Sequence, residues 1–96
     1  MDNLIDKMEF PDPRFKENVM KYRPVGVGFM GLSDTLYEMG LPYDSNEARI
    51  FASECMKTIT TACVESSADL ANDKGTFADF EIVKDDVIEI LRELTG

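Results

Sequence analysis

Gly26-Val27-Gly28-Phe29-Met30-Gly31 spells GxGxxG, and Asp44 follows about twenty residues later, the spacing of a dinucleotide-binding loop and its ribose acid. That chemistry needs a buried strand to hold the first glycine and aim a helix N-terminus at pyrophosphate. Here the preceding residues are Lys21-Tyr22-Arg23-Pro24-Val25, with two charges and a proline where about five apolar strand residues are expected. Gly40-Leu41-Pro42-Tyr43-Asp44 is likewise too short and proline-broken for the second strand. A nucleotide-cofactor enzyme therefore rests on the letters of the motif alone. The better expectation is that Gly26, Gly28 and Gly31 lie within a helix and let a neighbouring backbone approach closely, each costing up to about 1 kcal/mol relative to alanine.

The other reactive side chains form no constellation. Cys55 and Cys63, eight residues apart on one expected helix, would lie about 12 Å apart along its axis, beyond the roughly 7 Å that a disulfide spans. They are expected to be small buried hydrophobes. There is no histidine, which removes the usual general base and metal ligand, and two cysteines without histidine exclude the familiar zinc sites. Asp85, Asp86 and Glu89 crowd one expected helix start without a calcium-loop glycine, and a solvated capping region is the simpler reading. Met8, Met20, Met30, Met39 and Met56 fall near core-facing helical positions, where packing is the default.

The elements that would carry these residues are helical. Leu4, Ile5 and Met8 share one face of a short N-terminal tail, which Phe10-Pro11-Asp12-Pro13 stops. Asp12 as cap and Pro13 at the first position open a helix over 13–22, with Phe15, Val19 and Tyr22 along one side. After Pro24, Val25, Phe29, Leu32, Leu36 and Met39 predict a helix over 25–39, capped by Gly40. Asp44 as N-cap, with Glu47 three residues on, predicts the start of a long helix over 45–74 that Gly75 ends. Its stripe is Ala48, Phe51, Ala52, Cys55, Ile59, Ala62, Cys63, Ser66 and Leu70. Residues 85–95 predict a last amphipathic helix with Val87, Ile88, Leu91 and Leu94 inward. The fold class expected is all-α, a small bundle of three to four helices in a single domain over 1–96.

Ten Lys and Arg against nineteen Asp and Glu give a net charge of -9, which repels phosphate backbones and anionic lipid, so neither nucleic acid nor membrane is an expected partner. The acidic start, Met1-Asp2-Asn3-Leu4, is unlike a signal peptide, and the expected setting is cytoplasmic. Hydrophobic residues make up 44% and charged residues 30% of the 96, enough apolar side chain for one modest core.

Two longer strings are more specific. Arg23-Pro24-Val25-Gly26-Val27-Gly28-Phe29-Met30-Gly31-Leu32-Ser33-Asp34-Thr35-Leu36, then Met39-Gly40-Leu41-Pro42-Tyr43-Asp44-Ser45-Asn46-Glu47-Ala48, resemble a segment of ribonucleotide reductase large chains. Leu4-Ile5-Asp6, Phe10-Pro11, Ser67-Ala68-Asp69-Leu70-Ala71 and Lys74-Gly75-Thr76-Phe77 agree with the same family, so the resemblance covers residues 1–80 and leaves 81–96 without a match. The Met-Gly and Pro-Tyr details look most like the adenosylcobalamin-dependent class. The resemblance implies a piece from the C-terminal half of a larger catalytic chain, with helices packed against a ten-stranded barrel. Such a piece lies downstream of the radical cysteine and upstream of the reducing cysteines, without active-site residues of its own. It would be inert alone, hold no cofactor and have the remainder of the reductase chain as its partner, with self-association through an exposed apolar face. Adenosylcobalamin would belong to the parent enzyme. The rival reading is a free-standing acidic helical module that binds a protein partner through an apolar face.

Overall fold

A computed structural model describes residues 1–95. Among them the chain is all-α, as the periodicity predicts, with five helices and no strand: α1 (Asp2–Lys7), α2 (Pro13–Tyr22), α3 (Leu32–Glu38), α4 (Asn46–Lys74) and α5 (Phe80–Thr95). No helix among the described residues is long and apolar enough to cross a membrane. The chain divides into two compact units, one joining Met1–Gly26 to Ala68–Gly96 and the other formed by Val27–Ser67.

In the first unit α2 has the predicted bounds for the predicted reason. The Asp12 carboxylate accepts from the Arg14 amide at 2.8 Å, and Pro13 occupies the first turn, where its missing N–H is no loss. The helix stops because Pro24 disfavours right-handed geometry at Arg23. Arg23 turns left-handed instead, at φ 47°, and its N–H reaches the Val19 carbonyl at 2.7 Å. Of the three residues predicted along one side of α2, Val19 is partly covered, whereas Phe15 and Tyr22 are exposed.

The last helix starts five residues earlier than predicted. Asp79 donates its amide to the Lys21 carbonyl at 3.1 Å, and the Tyr22, Phe77 and Phe80 rings stack in sequence, with centroids 6.3 and 5.5 Å apart. These contacts fix the chain just ahead of α5 and let Phe80 open it. The covered side therefore runs Phe80, Val83, Val87 and Leu91, while Ile88 and Leu94, predicted inward, face out. Asp85, Asp86 and Glu89 fall in the helix interior, not at its start, and the acid of the first turn is Glu81.

In the second unit the predicted helix over 25–39 shrinks to α3. Gly26 and Gly28 weaken helix propensity where Val25 and Val27 are β-branched, and Gly31, at φ 81°, is left-handed and cannot continue a helix backwards. The C-terminal end is well built. Gly40, at φ 72°, donates to Tyr37 and Leu41 donates to Leu36, at 3.0 and 2.9 Å, the paired bonds of a Schellman turn. Leu36 and Ala48 are the buried residues of this unit, and Ile5 is that of the first.

The long helix begins at Asn46, so the cap is Ser45 and not Asp44. Ser45 Oγ accepts from the Ala48 amide at 3.2 Å and donates to the Pro42 carbonyl at 2.6 Å. Asp44 stands one residue too early and pairs with Arg49, and Glu47 therefore falls one place short of a capping box. Along α4 the predicted stripe is covered at Ala48, Phe51, Ala52, Cys55, Ile59 and Leu70 but exposed at Ala62, Cys63 and Ser66. Cys63 is thus no buried hydrophobe, and Cys55 is only partly covered. Gly75, at φ 80°, follows the last turn and donates to the Ala71 carbonyl at 2.9 Å.

Candidate functional site

Asp2 and Asp6 stand four apart on α1, one turn above each other, so the two carboxylates repel unless cations reach them. Two cations do. Arg23, at the left-handed end of α2, places Nε 3.0 Å from Asp2 and Nη1 2.8 Å from Asp6, while Nη2 donates to the Asp2 carbonyl at 3.0 Å. Lys74, the last residue of α4, places Nζ 2.7 Å from Asp2, 3.1 Å from Asp6 and 2.6 Å from the Asn3 side-chain oxygen. The group lies within the first unit and joins α1 to the ends of α2 and α4.

Its electrostatics follow from the hydrogen bonds. Donation from Arg23, then from Lys74, brings the Asp2 carboxyl down to about 2, and Asp6 is lowered by the same donors in the same order. Arg23 and Lys74 are held protonated in return, chiefly by Asp2. Two carboxylates answer two cations, so the charges cancel within the group. Such a cluster fastens helices and leaves no surplus charge with which to bind an ionic substrate.

None of these four residues is singled out by motif reading. The signal was present, since an acid pair at i and i+4 on a six-residue helix calls for nearby cations. Asp6, Arg23 and Lys74 also fall within the strings that carry the family resemblance.

The glycine motif assembles no loop for phosphates. No strand precedes Gly26, and α3 opens at Leu32, past the last glycine. The expected close packing is not made among the described residues either, because a Cβ added at Gly26, Gly28 or Gly31 would meet none of their atoms within 4 Å. In the second unit an open depression of about 270 Å³ is lined by Leu32, Leu36, Tyr43, Ala48 and Ala52, with Asp44 and Arg49 already paired to each other. Another of about 380 Å³ lies against a single face of α4, from Glu54 to Glu65. Its lining is Glu54, Lys57, Thr58, Thr61, Ala62 and Glu65.

Comparison with known proteins supplies what geometry alone does not. A family model described as "Ribonucleotide reductase, barrel domain" matches residues 1–89. The chain is 37% identical over 103 aligned residues to the "Ribonucleoside-diphosphate reductase subunit alpha" of Chlamydia pneumoniae, a match that takes in 100% of this chain and 10% of that one. It is 38% identical over 80 residues to the "Vitamin B12-dependent ribonucleoside-diphosphate reductase" of Mycobacterium tuberculosis (strain CDC 1551 / Oshkosh), covering 83% of this chain and 12% of the relative. Against the "Ribonucleoside-diphosphate reductase large chain 2" of Saccharomyces cerevisiae it is 35% identical over 81 residues, 84% of this chain and 9% of that one. The chain spans about a tenth of the length of these relatives. No solved structure matches. The likeness runs past residue 80, the limit of the resemblance read from the motif strings, into α5. The chain belongs to the ribonucleotide reductase barrel-domain family.

Proposed function

We propose that this chain is a helical scaffold segment of a ribonucleotide reductase large chain, the enzyme that converts ribonucleotides to deoxyribonucleotides, and that it is inert by itself. The observation that carries the reading is the family match over residues 1–89 in a chain about one tenth the length of its relatives. The small core supports it: among the described residues Ile5, Leu36 and Ala48 are the buried apolar side chains, less than a chain of this length needs to be stable alone. The remainder of the reductase chain is the proposed cover, and the bare glycines 26, 28 and 31 are proposed to pack against it. Cys55 and Cys63, both within α4, serve as neither radical nor reducing cysteines.

The parent is proposed to be of the adenosylcobalamin-dependent class, supported by the Met-Gly and Pro-Tyr details and by the B12-dependent relatives among the matches. That cofactor is proposed to be held by the remainder of the parent chain, since this segment has no histidine to offer a metal.

The reading frame tests the proposal. It should continue on both sides of the segment, with an Asn-x-Cys-x-Glu pattern upstream. A start and a stop bounding it would favour the free-standing acidic interaction module, which the exposed apolar faces would also suit. The isolated chain, given ribonucleoside di- and triphosphates, adenosylcobalamin and a dithiol, should yield no deoxyribonucleotide. Turnover would refute the claim of inertness.

A further inference from the structure

Rows of residues four apart divide the surface of α5 by chemistry. Val83, Val87 and Leu91 form one row and are partly covered. Beside it run Ile82, Asp86, Ile90 and Leu94, whose apolar members are 77%, 54% and 57% exposed. The next row is Glu81, Asp85, Glu89 and Glu93, acidic at every position and exposed throughout. Like charges four apart on a helix repel, and among the described residues no cation forms an ion pair with these acids or with Asp86. The same spacing on α1 shows what answers such a pair, for Asp2 and Asp6 hold Arg23 and Lys74. A face turned only to water would be polar throughout, whereas this one sets three large apolar side chains beside its acids.

We propose that this outward face of α5 docks a basic amphipathic helix of a second polypeptide. Ridges four residues apart are what one helix offers the grooves of another. Ile82, Ile90 and Leu94 take the visiting helix's apolar stripe, and Lys or Arg at helical spacing along its flank meet Glu81, Asp85, Glu89 and Glu93. Charge decides the chemistry of the occupant. At -9 the chain draws a basic partner from a distance and turns away nucleic acid, anionic lipid and, at low salt, a second copy of itself. The family model ends at residue 89, so Ile90, Glu93 and Leu94 stand outside the matched stretch. The docking face therefore goes beyond the scaffold reading, and it holds whether the segment stands alone or within a parent chain.

A synthetic lysine–leucine peptide patterned as an amphipathic helix is the probe, titrated by calorimetry into the polypeptide at its natural length. It should bind, and more tightly at low salt than at high. Glu81→Gln, Asp85→Asn, Glu89→Gln and Glu93→Gln together should weaken binding at least about tenfold. These changes relieve repulsion along α5, so circular dichroism should show no loss of helix. A second variant removes the same charge elsewhere, by Glu9→Gln, Glu17→Gln, Glu54→Gln and Glu65→Gln, and should bind the peptide as the unaltered protein does. Equal weakening in both variants would reduce the effect to net charge and overturn the docking face. Absence of binding to the unaltered polypeptide would overturn it too, as when the remainder of its own chain already covers α5, and would leave the scaffold reading standing.

Discussion

Arg23 combines two features that one residue rarely holds together. It is the single non-glycine residue at positive φ among those described, a geometry that costs about 1–2 kcal/mol for a residue with a Cβ, and its guanidinium answers both carboxylates of α1. The ion pairs oppose the backbone cost. A carbon-detected titration of the isolated chain should find Asp2 with its midpoint near 2. Arg23→Ala should move it toward the ordinary 3.8 by more than Lys74→Ala does, because Arg23 is the stronger of the two donors. An ordinary midpoint in the parent sequence would mean the cluster does not form. The sign of the linkage follows from the lowered value. The stabilisation is complete above the unfolded value of about 3.8 and disappears as pH falls through about 2, so the Ile5 methyl resonances should hold their folded positions through mild acid and shift as pH falls through that window. Sequence reading did not reach this cluster, because its members lie up to 72 positions apart and nothing local announces that the ends of α2 and α4 meet α1. Gly40 and Gly75 were legible because a left-handed cap is written in one residue.

At the scale of elements, the helix ends marked by a proline or a glycine were legible, and those marked by weaker signals were not. α2 has Asp12 and Pro13 in one arrangement only, whereas Asp44 and Ser45 both suit the start of α4 and the choice falls to Ser45. Ser45→Ala should therefore loosen the first turn by about 1 kcal/mol, roughly fivefold faster amide exchange at Ala48 and Arg49. Asp44→Ala should do little, since its pairing with Arg49 joins side chains 88% and 62% exposed and such pairs contribute a few tenths of a kcal/mol at most. The reverse ranking would restore Asp44 as the cap. The lost half of the predicted helix over 25–39 has a different origin. Steps of three and four among Val25, Phe29, Leu32, Leu36 and Met39 were genuine, but alternation at Val25, Val27 and Phe29 was equally present, and two interior glycines tip a balance that periodicity alone leaves even. Likewise α5 gains its first turn from a bond to Lys21 and from the Phe77 ring, contacts that no window of local sequence contains.

For the molecule as a whole, helices are plentiful and shelter is scarce. Ile5, Leu36 and Ala48 are the buried apolar residues among those described, while Phe15, Tyr37, Ile82 and Leu94 stand more than half exposed. Helices as short as α1, α2 and α3, of 6, 10 and 7 residues, are marginal without an apolar face to pack on, and burial of about 25 cal/mol per Å² is the main term that would sharpen the chain's unfolding. The isolated chain should thus give a helical far-ultraviolet circular dichroism spectrum, bind a hydrophobic dye such as anilinonaphthalene sulfonate, and melt over a broad interval. Charge decides what happens next. At -9 two copies repel each other across their open faces at low salt, and screening shortens that repulsion to about 10 Å at 0.1 M and about 3 Å at 1 M. Sedimentation velocity should accordingly find monomer at low ionic strength and self-association at high ionic strength, with dye binding falling as copies associate. A sharp melt with no dye binding at any salt would mean that the helices cover one another unaided, and the need for a larger parent chain would lose its physical basis.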